Sequence, residues 1–551
     1  MKTQNQNLPA AGLAGLKENF KSDALSGFLV FLIALPLCLA ISKASGFPPV
    51  GGILTAIIGG LVVTFLGGSE LTIKGPAAGL IVIAVGAVEE LGKGDPMVGY
   101  KLALGVVVVA GIIQVVFGLL RSGVLGDFFP SAAIHGMMAA IGITIILKQI
   151  FILTGVKPEG KEAFDLITEI PGAFVNMNPE IFIIGGVSLL ILFLFPLVKN
   201  KTFKKIPAPL VVILVAIPLG RYFDLSHEHT YLFLNNHNYT IGPKFLVELP
   251  DNLLSAITFP DFSQITSFTS IKYIIMFALV GSLESLLSTK AIDMLDPYKR
   301  KSNMNRDLIG IGVGNTLAGL IGGLPMISEI VRSSANVNNG AKTRWANFFH
   351  GLFLLVFVAF AGAVITQIPV AALAAMLIYT GFRLASPKEF AHTYHKGAEQ
   401  LVIFLVTIIV TLATDLLVGI AAGIVTKLGI HLFNGLPLRS MFKPLVEVRK
   451  HDNEEFYQVF VTDAAVFSNY LNFKKYLDAI PRQKHIVVNF SEALLVDHTV
   501  MEHLHHYEND YVAQGGKFEI VGLHEHKPVS LHPLAARRLN NRTKLGSNLS
   551  R

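Results

Sequence analysis

Gly322-Gly323-Leu324-Pro325-Met326-Ile327-Ser328-Glu329-Ile330-Val331-Arg332-Ser333-Ser334 lies between two strongly apolar runs. It nevertheless holds a Gly-Gly pair, a proline, a glutamate and an arginine, which a simple membrane span would not. A lipid-exposed charge near the bilayer centre costs several kcal/mol, so such groups face a cavity or a partner. Gly-Gly-x-Pro followed by a short helical segment reads as an extended piece breaking into a half-helix. Irregular backbone at membrane depth is tolerated only where protein buries it or it lines a cavity. A half-helix starting there points free N–H groups and a positive dipole end at that cavity. The stretch therefore reads as half of an anion site.

The surrounding composition agrees. The chain has 551 residues, 52% hydrophobic and only 15% charged, against roughly 25% charged in ordinary soluble domains. Mean hydropathy is +0.56. This is the profile of a polytopic membrane protein. The single cysteine, Cys38, excludes an internal disulfide and a Cys-based zinc site. The net charge of +7 needs no nucleic-acid partner, because cytoplasmic loops of membrane proteins carry a lysine and arginine excess. No small-residue cleavage site follows a short apolar core, so no signal peptide is expected.

Residues 1–22 read as a cytoplasmic N-terminal segment, and 23–438 as a transmembrane transport domain. Glu70-Leu71-Thr72-Ile73-Lys74-Gly75-Pro76-Ala77-Ala78-Gly79, followed by a short apolar run, is a second copy of the opening pattern. Interrupted spans at corresponding places in two halves point to a transporter's binding site. Counting each interrupted span gives about seven per half, over about 23–222 and 269–438, with a polar loop at 223–268. Lys199, Lys201, Lys204 and Lys205, then Lys299, Arg300, Lys301 and Arg306, then Lys342 and Arg344 cluster between spans. All three clusters fall inside if the N-terminus is cytoplasmic. The 223–268 loop, with Asp224, Glu228, Glu248 and Asp251, then falls outside. An odd span count per half makes the repeat inverted. Beyond about Arg439 the apolar runs stop. Strands at 456–461, 485–490 and 517–522 alternate with helices at 467–480 and 499–514, which implies a small α/β domain over 441–539. Residues 540–551 read as a disordered tail.

With these pieces in order the chain resembles the SulP family of anion transporters. The resemblance rests on Asp23-Ala24-Leu25-Ser26-Gly27 with Pro36, on Gly281-Ser282-Leu283-Glu284-Ser285, on Gly323-Leu324-Pro325 with Arg332-Ser333, and on Thr414-Asp415-Leu416-Leu417. The tail, with Ile486–Phe490 leading to Leu495-Val496-Asp497-His498-Thr499, is similar to a STAS domain. The resemblance implies about 14 spans as a 7+7 inverted repeat with core and gate domains, a uracil-permease-like architecture. It also implies a dimer in the inner membrane with both termini cytoplasmic, elevator-type alternating access, and a substrate held between the facing N-termini of helices three and ten. No ATP-binding motif is present, so no enzyme activity is expected and a gradient or exchange must drive transport.

Arg332 is the candidate counter-charge, since a guanidinium fork suits planar oxyanions; the bland reading is a topological arginine at a helix end. Ala77, Ala78, Ile327 and Ser328 are expected to offer backbone N–H groups from the two half-helices. The resemblance makes Glu284 the coupling residue. In sodium-dependent bicarbonate members the acid and a hydroxyl four residues on, here Ser288, bind Na+; in proton-coupled members the acid carries H+. Desolvation favours a protonated carboxyl, which suits the second role equally well. Lys74 and Glu329 depart from the family pattern and are expected to pair at the crossing of the half-helices. Leu37 makes one wall more apolar. The histidines His503, His505, His506, His524 and His526 lack metal-ligand spacing, so no metal site or other cofactor is expected. His498 stands where antagonist-type STAS proteins carry a phosphorylated serine, which favours a docking or dimerisation role over phospho-switching. The reading is a secondary transporter of a small inorganic anion, bicarbonate coupled to Na+ or H+. Its alternatives are a sulfate H+ symporter or an exchanger, then a nucleobase-type proton symporter or a STAS-based scaffold.

Overall fold

The computed structural model describes residues 8–160, 162–198, 206–233, 237–249, 255–450 and 456–539. The cluster at Lys199, Lys201, Lys204 and Lys205, Asp251, the start of segment 1–22 and the expected disordered tail 540–551 lie outside the described residues. The chain divides into two compact units, Met1–Gly123 with Ile141–Leu384, and Val124–Ala140 with Ala385–Arg551. The second unit thus groups the last two spans with the C-terminal fold, where the sequence places a boundary near 438.

The first unit opens with α1 (Gly12–Ala44), which contains Pro36. No proline interrupts 13–22, so the expected lead-in is helical and continuous with the first span. Next come α2 (Pro49–Ile58), whose end widens into a π-turn at Gly59–Val63, α3 (Ile81–Gly92) and α4 (Pro96–Leu119). Then follow α5 (Ser131–Thr154), which starts in the second unit, α6 (Pro179–Leu194) and α7 (Ala208–Tyr222). The second half brings α8 (Phe268–Leu295), α9 (Met304–Leu320), α10 (Ile330–Asn338), α11 (Trp345–Phe360) and α12 (Val370–Leu384). The second unit adds α13 (Ala398–Ala413) and α14 (Leu416–Phe433). Among the described residues eight helices are long and apolar enough to cross a membrane. The shorter apolar helices and the two half-helices complete the order of an inverted repeat.

Local chemistry sets the helix starts. The side chains of Asp95, Asn178, Ser267, Asn303 and Asp415 each accept a backbone N–H of the following first turn. Glycines bring helices together. A methyl group on Gly312 of α9 would lie 2.6 Å from the Gly111 carbonyl of α4, the close small-residue approach typical of membrane helices. The expected 223–268 loop carries an antiparallel hairpin, β2 (His229–Phe233) with β3 (His237–Ile241), which tolerates the Asn and His content of this stretch because one face is exposed.

Two short strands position the site. β1 (Ile73–Pro76) pairs antiparallel with β4 (Met326–Glu329), and the pairs are Ile73 with Glu329, Lys74 with Ser328, Gly75 with Ile327 and Pro76 with Met326. All eight residues are buried. A pair of strands with no further neighbours leaves outer N–H and C=O groups that burial obliges the protein to satisfy. Asparagines do so from both sides. Asn347 of α11 accepts the Lys74 N–H at 3.2 Å and donates to the Gly59 carbonyl at 2.9 Å, at the π-turn. Asn315 of α9 accepts the Met326 N–H at 2.5 Å and donates to its carbonyl at 3.2 Å. Ser333 accepts the Ile73 N–H at 2.8 Å, and Asn336 donates to the Leu71 carbonyl. Gly322 enters β4 at φ +94, a conformation that favours glycine, and its carbonyl accepts from Tyr100 at 2.9 Å.

In the second unit the C-terminal sheet runs β10 (His526–Pro528), β11 (Arg537–Leu539), β8 (Ala493–Val496), β6 (Phe456–Ala465), β7 (His485–Asn489), β9 (Lys517–Val521), with β5 (Leu445–Lys450) on β6. β6 is parallel to β7 and β8. α15 (Phe467–Asp478) and α16 (His498–Ala513) pack Tyr470, Phe473, Leu477, Val500 and Leu504 against Val459, Ile486 and Val488 of the sheet.

Candidate functional site

The crossing ribbon delivers two helix starts to one place. After β1, Ala77 is extended and a single tight turn, Ala78–Leu80, opens α3. After β4, Glu329 is the N-cap of α10. Ala77 and Ala78 therefore stand where expected, at the first half-helix start. Ile327 and Ser328 do not. Both belong to β4, and the Ser328 N–H is spent on Ser285 Oγ at 3.1 Å. The strand pairing holds the chain extended up to Glu329, so the first-turn N–H groups of α10 are those of Ile330, Val331 and Arg332.

Arg332 sits inside the crossing. It is fully buried. Its Nη2 donates to the Pro76 carbonyl at 2.7 Å, directly before the α3 turn, and its Nη1 lies 3.5 Å from Cys38 Sγ of α1. Gly75 lets it through, because any methyl group there would collide with Nη1. The third nitrogen, Nε, has no hydrogen-bond partner among the described residues and is 3.9 Å from Glu329 Oε2. A buried guanidinium N–H left open beside a helix start is the kind of group an oxyanion satisfies.

Glu284 of α8 aims its carboxylate at the other helix start. A methyl group on Gly79 would fall 2.5 Å from its Cδ. Its Oε2 is buried without a hydrogen-bond partner among the described residues, and it lies within electrostatic reach of Glu329. Ser288 is buried one turn further along α8. Glu284 and Glu329 thus face the crossing, with Arg332 beside Glu329.

The expected Lys74–Glu329 pair is not formed. Residues directly opposed in an antiparallel ribbon project to the same side, and neighbours along a strand project to opposite sides. Lys74 opposes Ser328, while Glu329 opposes Ile73, so the two charges leave the ribbon on opposite faces. Lys74 Nζ instead lies 2.6 Å from Asp307 Oδ1 of α9 and 2.5 Å from Ser328 Oγ. Sequence reasoning missed Asp307, which follows a basic run and stands in the first turn of α9. Cys38 and His350 were missed too. His350 of α11 is fully buried, with neither ring nitrogen bonded among the described residues, and lies within electrostatic reach of Arg332. Its signal was a histidine inside an apolar span. Asp293, by contrast, caps the loop after α8 by accepting from Ser302.

With this geometry the chain matches a family model described as the sulfate permease family, over residues 20–407. The chain belongs to the sulfate permease family. The bicarbonate transporter BicA of Picosynechococcus sp. (strain ATCC 27264 / PCC 7002 / PR-6) is 25% identical over 408 residues, covering 74% of this chain and 69% of that one. Sulfate transporter 4.1, chloroplastic, of Arabidopsis thaliana is 26% identical over 417 residues, covering 74% and 57%. The solved overall structure of SLC26A9 superposes with a TM-score of 0.65 at 15% identity, covering 92% of this chain and 85% of that one. That likeness shows the fold. This sulfate permease family member is accordingly a multi-pass membrane transporter of inorganic anions, not an enzyme.

The C-terminal fold of this family member has its own buried charges. Asp497 caps α16 through the Val500 N–H at 2.8 Å and also accepts the Phe467 N–H at 2.9 Å. Lys427 and His431 of α14 stand 3.5 and 3.7 Å away. Burial alone would raise this carboxyl, but Lys427, then His431 and the two N–H groups hold it below the usual carboxylate range. His498 Nδ1 lies 2.6 Å from the Leu534 carbonyl, and burial takes its imidazole down to about 4. It is a core histidine. His503 stacks on Tyr470 at 4.7 Å.

Proposed function

We propose that this chain is a secondary transporter of a small inorganic anion, with bicarbonate the first candidate, driven by Na+ or H+ entering with it. The observation that carries this is the charge arrangement at the crossing. An open Arg332 Nε and two helix starts favour an anion. Glu284 and Glu329 outnumber Arg332, so a bound anion leaves the pocket short of positive charge unless a cation or proton arrives as well. Glu284, with Oε2 unpartnered against Gly79, is the place for it, with Ser288 one turn along as a further oxygen for Na+. The relatives bear the names of sulfate and bicarbonate transporters, which supports the anion class. A planar oxyanion suits the guanidinium edge and the small Cys38 side chain beside it. The runner-up is sulfate with protons, favoured if Glu284 exchanges H+ alone.

In this reading the two half-helices and their ribbon move together as a core in elevator-type exchange. The protein is a homodimer of the inner membrane with both termini cytoplasmic, and the STAS-like domain at 441–539 docks or dimerises. The test is uptake of radiolabelled bicarbonate and sulfate into proteoliposomes, with and without an inward Na+ gradient and with acid outside. Na+-stimulated bicarbonate uptake is the expected result. Sulfate uptake driven by acid and indifferent to Na+ would replace it with the runner-up, and uptake of neither would remove both.

A further inference from the structure

Lys74 is 2% and Asp307 1% exposed, and their surroundings are unlike an ordinary buried ion pair. Asp307 Oδ1 meets Nζ and also accepts the Gly68 N–H at 3.2 Å. Asp307 Oδ2 accepts Thr289 Oγ1 of α8 at 3.0 Å and Ser328 Oγ at 2.9 Å. Ser328 Oγ in turn accepts from Nζ. One carboxylate and one hydroxyl, from α9 and β4, therefore meet the ammonium that β1 supplies, and Thr289 of α8 holds the carboxylate's other oxygen. Hard oxygen donors around one positive charge are the chemistry of a small monovalent cation site. Glu284 is separate, since five residues along α8 from Thr289 is a rise of about 7.5 Å.

We propose that the Lys74 ammonium is a tethered cation filling a monovalent-cation site built from Asp307 and Ser328, with Thr289 positioning the Asp307 carboxylate. The protein carries that charge covalently, so the site neither binds nor releases a free ion, and it ties the two crossing strands to α9 and α8 throughout transport. Without the ammonium the buried Asp307 carboxylate loses its counter-charge, which a buried carboxylate does not tolerate. The vacated volume of the lysine stem then admits Na+ or Li+ with water. A simple structural strut behaves otherwise, since its loss would be repaired by no particular ion.

The experiment uses the full chain in an E284Q background, so that the proposed coupling site contributes nothing and a failure of that reading leaves this one intact. Thermal unfolding is followed in NaCl, LiCl and choline chloride at equal ionic strength. In K74A the midpoint rises saturably with Na+ or Li+, by about 2–3 °C at about 100 times Kd, relative to choline. The parent and the K74A/D307N variant show no such difference. Should K74A fold poorly, it is recovered as a monodisperse protein from membranes prepared in Na+ or Li+ but not in choline. A K74A protein that misassembles in every salt, or that melts identically in all three, overturns the proposal. So does a cation response retained in K74A/D307N.

Discussion

Replacing Gly79 by alanine should uncouple the transporter without unfolding it. Gly79 lies in the tight turn that opens α3, and the methyl group would sit 2.5 Å from Glu284 Cδ and against both carboxylate oxygens. Ordinary carbon contacts lie at about 3.5–4.0 Å, so the carboxylate must withdraw by roughly 1–1.5 Å. The obstacle is the tip of a flexible side chain rather than backbone. Overpacking of this kind costs about 1–3 kcal/mol, and Gly→Ala in a helix returns up to about 1 kcal/mol, so the net loss of stability is small. The effect on coupling is larger, since a displacement of about 1 Å at a working group can cost on the order of 100-fold. The assay is gradient-stimulated uptake in proteoliposomes, with Gly186→Ala as control because nothing lies within 4 Å of a methyl group there. G79A should behave like E284Q, with stimulation by the imposed gradient gone and the melting temperature nearly unchanged. Full gradient stimulation in a folded G79A protein would refute the placement of Glu284 at this helix start.

Three further outcomes are expected. D307N leaves the buried Lys74 ammonium unpaired and should cost about 3–5 kcal/mol, read as a lower unfolding midpoint, while K74M/D307L, which removes both charges, should cost much less. E329Q removes the carboxylate beside Arg332 and should lower the KM for a monovalent anion by about 10-fold, equivalent to ~1.4 kcal/mol; an unchanged KM would remove Glu329 from the site. Asp497 has a depressed folded-state pKa, so its stabilisation is fully present above the unfolded value of about 3.9 and is lost as pH falls through the lower folded value. Melting of the C-terminal fold should therefore drop steeply below about pH 4, and D497N should be weaker at neutral pH and lose that acid step, as followed by circular dichroism.

The crossing was legible because Gly, Pro and charge inside apolar runs have few physical explanations. The register was not. Which residue opposes Lys74 depends on how Asn315 and Asn347 fix the outer edges of two strands some 250 residues apart, and sequence carries no sign of that. The error over Lys74 follows from it, since a shift of one residue in register exchanges the two faces of a ribbon. The same shortfall placed Ile327 and Ser328 in the half-helix, because propensity does not say where a tertiary strand pair lets go. Arg332 was legible as an intramembrane charge, but its contact with Cys38 joins α1 to α10 and only packing could reveal it. In the C-terminal fold, the apolar β-branched runs at 456–461 and 485–490 announced their strands. β8, β10 and β11 are three or four residues long, too short for a pattern.

The central claim is that the anion lies beside Arg332 between the two helix starts, and the most direct measurement is the KM for labelled bicarbonate and sulfate in R332A and R332K. A unit charge about 4 Å from an anion is worth about 4 kcal/mol at an effective dielectric of about 20, and screening by water in an open pocket reduces this to a loss on the order of 10- to 100-fold. R332A should show that loss while eluting as a folded protein, and R332K, which keeps the charge without the fork, should recover part of it. A folded R332A protein with the wild-type KM for the transported anion would contradict the claim.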